Sequence, residues 1–254
     1  MSVEALERFR VPVPGVDPAT GGFFYIPEFV SREEEALLLQ KVYAAPRPKW
    51  KQLSNRRLQY WGGQLSEQSG ALLAEPLPDF FVCTPDLVSR LGNSGAFAKS
   101  PHRAPNHCLV NEYLPGQGIL PHQDGPAYFP VVATVSLGGT TLLDEYAWER
   151  DEADAQASRP YPQVPAFSLF QEPRSLLMTT GSAYEQFLHG IAERAADEPA
   201  HLARIANVEQ LADAQLREHC RAARHGGAEP LVRAQRVSLT FRDVHRVRRM
   251  PKIG

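Results

Sequence analysis

The chain has 254 residues, 43% of them hydrophobic and 22% charged, and a formal net charge of −2. That is enough for one sizeable soluble domain, and it excludes a global basic field for holding polyanions. Cys83, Cys108 and Cys220 are too few and too scattered for a disulfide framework or a zinc site.

MSVEALERFRVPVPG lacks a signal-peptide core, and no apolar run reaches membrane-spanning length. The expectation is a monomer of the cytoplasm and nucleus with no membrane partner. Residues 1–22, rich in Pro and Gly, read as a loose N-terminal arm. FFYIPEFV (23–30) is a short extended segment ended by Pro27. In SREEEALLLQKVY (31–43) Ser31 caps a helix, and Glu34 completes a capping box. The acids at 33–35 suit the positive end of that helix. APRPKWKQLSNRRLQYWGG (45–63) breaks the pattern with two prolines and a closing Gly-Gly. DFFVCTPDLVSRLGNSG (79–95) has the spacing of a second amphipathic helix, packed beneath a sheet.

From about residue 107 the texture changes to short β-rich runs: HCLVNEYL, YFPVVATVSLG, TTLLDEYAW, RSLLMTTGSAYEQFLHGI and AQRVSLTFRDV. Such runs, punctuated by Gly and Pro, predict a β-sandwich or jelly roll. DEADAQASRPYPQ (151–163) reads as a surface loop. Residues 192–232, rich in Ala, Glu and Arg, read as a solvated helical insertion before the last strand. The fold class is therefore α+β, mainly β, in one domain with N-terminal helices as support.

PHQDGPAYFP (121–130) places His122 and Asp124 two residues apart, and FLHGI supplies His189. Two imidazoles and a carboxylate suit non-haem Fe(II), which must keep positions open for a co-substrate and O₂. An H-x-D with a distant histidine also arises by chance, so other residues must decide. RVSLTFR (236–242) alternates, with Val237, Leu239 and Phe241 on one face and Arg236, Ser238, Thr240 and Arg242 on the other. The two arginines, ~20 Å apart along an extended strand, suit the carboxylates of a short dicarboxylate. A solvated edge strand with scattered arginines is the plainer alternative. In LVNEYLPG, Asn111 and Tyr113 share a face and offer hydrogen bonds to carboxylate oxygens. In their chain order, N-x-Y, H-x-D, H-G and R-x-S-x-T-x-R form a strong joint signal.

These motifs resemble the AlkB family of Fe(II)- and 2-oxoglutarate-dependent dioxygenases. FFYIPEFVSREEEALLLQKVY, APRPKWKQLSNRRLQYWGG, NHCLVNEYLPGQGILPHQDGPAYFPVVATVSLG, EPRSLLMTTGSAYEQFLHGIAE and RVSLTFRDVHRV carry the likeness. The arm, the 147–171 stretch and the 194–232 insertion do not. The resemblance implies a double-stranded β-helix, the cupin-like form of the jelly roll. It implies His122, Asp124 and His189 as iron ligands and Arg236, aided by Tyr113, on the distal carboxylate of 2-oxoglutarate. Arg242 and Asn111 would border the carboxylate that reaches the iron. The implied reaction consumes O₂, converts 2-oxoglutarate to succinate and CO₂, and hydroxylates a C–H bond. A methyl group on nitrogen would then leave as formaldehyde.

Under the same resemblance the chain divides into an arm (1–22), a helical support with a substrate lid (23–95), a core (96–245) and a basic tail (246–254). The lid stretch RPKWKQLSNRRLQYW offers Lys49, Lys51, Arg56 and Arg57 for phosphates and Trp50, Tyr60 and Trp61 for stacking on single-stranded or flexible nucleic acid. A solvated basic loop with its aromatics packed inward is the alternative. Tyr128 lines a pocket or joins the core. The tail adds Arg246, Arg248, Arg249 and Lys252. Repair-type relatives follow H-x-D with Lys-Asp-Glu, whereas this chain continues Gly125-Pro126-Ala127. The expected substrate is a methylated base in RNA or DNA. The alternatives are a protein hydroxylase or demethylase on the same fold, or a nucleic-acid-binding module with little turnover.

Overall fold

The computed structural model describes residues 3–147 and 162–249. The strands of its two main sheets, in chain order, are β1 (Arg10–Val11), β2 (Gly21–Ile26), β3 (Lys51–Gln52), β4 (Arg57–Trp61), β5 (His107–Tyr113), β6 (Ile119–His122), β7 (Tyr128–Gly138), β8 (Thr141–Ala147), β9 (Phe167–Gln171), β10 (Leu176–Gly181), β11 (Phe187–Ile191) and β12 (Arg236–Val244). The larger sheet runs β1-β2-β10-β7-β12-β5-β4-β3, the smaller β9-β8-β11-β6. From β5 onward the chain passes repeatedly from one sheet to the other, the winding of a double-stranded β-helix.

β12 is central. It pairs with β7 on one side and β5 on the other, and all nine of its residues are buried. A strand with arginines near both ends can lie there because the period of two separates its faces. Val237, Leu239 and Phe241 join Cys108, Val110, Ala133 and Val135 in the outer core. The helix Arg32–Tyr43 covers that core with Leu38 and Val42. Each such buried side chain contributes roughly 1.5–3 kcal/mol. The capping box is formed: the Ser31 hydroxyl accepts from the Glu34 N–H, and the Glu34 carboxylate accepts from the Ser31 N–H.

Between the sheets, the Phe23, Phe167 and Phe187 rings fill one end, with centroids 5.4–5.7 Å apart. The other end is polar and open.

Several expectations are corrected. The arm is not loose, because Leu6 and Val11 are buried and β1 pairs with β2, covering an edge that would otherwise be exposed. Residues 79–95 form two short helices, Asp79–Val82 and Leu87–Gly92, since Pro85 cannot continue the first. The 45–63 stretch ends in the hairpin β3–β4, which extends the larger sheet. β9 arises in the 147–171 stretch that carried no likeness; of the expected 151–163 loop, residues 151–161 lie outside the described residues.

The insertion does contain helices, Pro199–Leu202 and Ala214–Ala223. It is no mere solvated cap, because Leu202, Ile205, Val208, Leu211 and Cys220 are buried in the inner core. In the tail, Val247–Arg249 pairs in parallel with Leu72–Ala74, and residues 250–254 lie outside the described residues. Among the described residues, no helix is long and apolar enough to cross a membrane.

Candidate metal and co-substrate centre

β6 and β11 pair so that His122 stands directly opposite His189, with ring centroids 4.5 Å apart. Glycines permit this approach. A Cβ on Gly190 would come 3.0 Å from the Pro121 nitrogen, and one on Gly118 2.1 Å from the Ile191 carbonyl oxygen. Asp124 follows just past the end of β6. One ligand atom from each of the three residues lies within 4.8 Å of the others, the one such cluster among the described residues.

Their protonation suits a divalent metal. His122 Nδ1 lies 2.9 Å from the Leu120 carbonyl oxygen, which fixes the proton there and leaves Nε2 with a lone pair. Burial holds both imidazoles below their ordinary pKa, His189 down to about 4. Burial pushes the Asp124 carboxyl up, but the Arg242 guanidinium, with smaller contributions from His189 and His122, holds the group below its usual range. Two neutral imidazoles and one carboxylate fit Fe(II) with positions left open.

Beside this cluster, residues of both sheets enclose a cavity of about 160 Å³. Asn111, Tyr113, Arg236 and Arg242 all line it. Arg236 is 3% exposed and donates to the Ser136 hydroxyl at 2.8 and 3.2 Å and to Gln171 Oε1 at 2.9 Å. Its guanidinium lies 5.9 Å from the centre of the Tyr113 ring. Burial lowers its pKa to about 10, and no carboxylate pairs with it among the described residues. A buried cation without a counter-ion is costly, so the site fits a ligand that brings a carboxylate.

Arg242 and Asn111 have other partners in this structure. Arg242 is bound to Asp124, and Asn111 Oδ1 accepts from Arg56 Nε at 3.1 Å. Gln171 as a cavity group and Ser136 as a partner of Arg236 escaped the sequence reading, which offered Arg56 as a phosphate contact. Ser136 had a signal, since it lies opposite Ser238 in a recognised strand. Gln171 had none.

The period of two divides the basic hairpin. Leu58 and Tyr60 pair with Asn111 and Leu109, and so share the cavity face with Arg56 and the exposed Lys51. Arg57 and Trp61 pair with Glu112 and Cys108 on the helix side. Arg57 forms an ion pair with Glu112 and lies 4.1 Å over the Trp50 ring, which stacks on Tyr43. Lys49 lies 4.3 Å over Trp61, which meets Phe80 edge-on. Lys49, Trp50, Arg57 and Trp61 therefore pack together on the helix side, the arrangement of the alternative in which the aromatics face inward. Tyr128 does line the cavity, 4.9 Å from the Arg242 guanidinium.

A jelly roll with this His-Asp-His cluster beside a buried arginine defines a non-haem iron oxygenase. Residues 22–242 match the model of the 2OG-Fe(II) oxygenase superfamily. A Danio rerio protein, "Probable RNA/DNA demethylase ALKBH6", is 42% identical over 226 residues, covering 88% of this chain and 86% of that protein. A Xenopus tropicalis tRNA (carboxymethyluridine(34)-5-O)-methyltransferase, alkbh8, is 25% identical over 77% of this chain and 28% of its own. The solved structure of OsALKBH1 shares the fold, with a TM-score of 0.50 at 16% identity over 91% of this chain and 100% of that one. The chain belongs to the AlkB family of Fe(II)- and 2-oxoglutarate-dependent dioxygenases.

Proposed function

We propose that His122, Asp124 and His189 hold the iron, and that Arg236 with Tyr113 grips the distal carboxylate of 2-oxoglutarate. Arg242 and Asn111 border the other carboxylate. The substrate is an N-methyl group on a base of RNA or DNA. Iron, 2-oxoglutarate and O₂ together supply the oxidising power for hydroxylating a C–H bond.

The chain's own residues prepare the site. Leu120 keeps the His122 proton on Nδ1, away from the metal side. Arg242 keeps Asp124 anionic. Ser136 and Gln171 fix the plane of the Arg236 guanidinium before ligand arrives, which lowers the ordering cost of binding.

The observation that carries the nucleic-acid reading is the cavity mouth. Arg56 and Tyr60 lie on that face, a cation for phosphate and a ring for stacking. The name of the Danio rerio relative supports the same substrate class. The test measures succinate formation with Fe(II) and 2-oxoglutarate for wild type and His122→Ala, then mass spectra of N-methylated single-stranded oligonucleotides. Loss of a methyl group with wild type, and not with His122→Ala, is expected. Equal turnover by both proteins removes the metal assignment. Turnover of N-methylated peptides in place of oligonucleotides makes the protein a protein demethylase.

A further inference from the structure

Three buried polar atoms near the cavity have no hydrogen-bond partner among the described residues: Nδ1 and Nε2 of His107 and the hydroxyl of Tyr184. His107 is 1% exposed and lies on the β5 face that carries the cavity residues Leu109, Asn111 and Tyr113. It stands opposite Arg242 in register. The Tyr60 and Tyr128 rings flank it, with centroids 6.3 and 6.0 Å away. Tyr184 sits in the helical turn Ser182–Gln186, whose Glu185 carbonyl accepts from the side chain of Gln123, the residue between His122 and Asp124. Unpaired buried donors and acceptors are costly, and a group of them beside a binding cavity calls for a ligand that pairs them.

The charge of the cavity narrows that ligand. Among the described residues, Arg56, Arg236 and Arg242 line it against a single carboxylate, Asp124. Two positive charges are in excess, and Fe(II) with a 2-oxoglutarate dianion leaves the excess unchanged. No acid follows Asp124, since the chain continues Gly125-Pro126-Ala127. A positively charged methylated ring would be repelled. Burial also keeps His107 neutral, its pKa pushed down to about 4, so it presents one donor and one acceptor.

We propose that Tyr128 turns aside to admit an uncharged N-methylated ring beside Tyr60, and that His107 and Tyr184 hydrogen-bond its polar edge. Tyr128 is placed for such a movement. It is the first residue of β7, half-buried, and follows Gly125, whose surroundings are open. An imidazole and a hydroxyl match the adjacent donor and acceptor on the edge of a nucleobase. The proposal rests on the nucleic-acid reading.

The test uses the full chain with Ni(II) and 2-oxoglutarate, so that nothing turns over. Fluorescence anisotropy measures binding of single-stranded oligonucleotides carrying one 6-methylaminopurine, which is uncharged, or one cationic 1-methyladenine. Wild type is expected to prefer the uncharged base by about fivefold or more. His107→Phe and Tyr184→Phe should each weaken that complex about tenfold and erase the preference. Where His107→Phe fails to fold, Tyr184→Phe, which deletes one hydroxyl, carries the test. An unchanged preference in Tyr184→Phe, or equal or tighter binding of the cationic base by wild type, overturns the subsite and leaves the nucleic-acid reading standing. Absence of binding to every oligonucleotide overturns both.

Discussion

The Arg242 guanidinium holds the Asp124 carboxylate with two prongs, Nε to Oδ2 at 2.8 Å and Nη2 to Oδ1 at 2.6 Å, and both side chains are 6% exposed. The strand that ends the jelly roll thereby sets the charge of a residue at its mouth. Arg242→Gln should leave that carboxylate buried without its counter-charge, so that burial dominates and the group takes up a proton. Metal affinity should fall about 10–100-fold, as for loss of an outer partner of a metal ligand, with a stability loss of ~3–5 kcal/mol for a broken buried pair. Arg242→Lys keeps the charge and loses the second prong, and should fall between. Calorimetric titration with Mn(II) checks the order. Wild-type affinity in Arg242→Gln would contradict it.

Gln171 touches Arg236 and reaches the cavity from a different sheet. Its role is to position the guanidinium, so its effect should appear in binding of 2-oxoglutarate. Gln171→Ala should raise the KM for 2-oxoglutarate about five- to tenfold, the equivalent of a net ~1–1.4 kcal/mol for one hydrogen bond, with kcat little changed. Gln171→Glu should raise it further, because the new carboxylate competes with the co-substrate for Arg236. A kcat loss without a KM change would contradict a positioning role.

Arg56 and Arg57 are neighbours in sequence with opposite tasks. Arg57 holds Glu112, a 3% exposed carboxylate that also accepts from Tyr43 and Gln235. Arg57→Ala should lower Tm by roughly 4–8 °C, the shift for ~2 kcal/mol in a chain of this size. Arg56→Ala should leave Tm within about 2 °C and weaken oligonucleotide binding, with a shallower salt dependence. Thermal melts and anisotropy at two salt concentrations separate the pair. Equal Tm losses would show that both arginines serve packing.

That pair also marks where the sequence stops being legible. Arg236 and Arg242 could be read because the period of two in RVSLTFR fixes their face, and His122, Asp124 and His189 because their motifs stand in order with that strand and carry the family likeness. Periodicity reports which residues share a face, but not what that face covers. The β4–β5 register decides this, and a slip of one residue would exchange Arg56 and Tyr60 for Arg57 and Trp61. Gln171 was hidden because β9 is short and its cavity role depends on the facing sheet. His107 looked like one more histidine; its burial between two tyrosines is a tertiary fact.

Two desolvated histidines set the acid limit of the metal-free protein. His107 and His189 are each held down to about 4 by burial, against an ordinary value of 6.5. Between those values the unfolded chain binds protons that the folded chain refuses. Stability is therefore fully present above about pH 7 and falls as pH drops toward 4, by ~1.4 kcal/mol per pH unit for each histidine. Asp124, held below its usual range by Arg242, extends the loss to lower pH. Urea unfolding at pH 7.5, 6.0 and 5.0 should show this decline. His107→Phe should reduce its slope by ~1.4 kcal/mol per unit. A flat profile from pH 6.5 to 4.5 would mean that the folded protein takes up both protons freely, which their burial opposes.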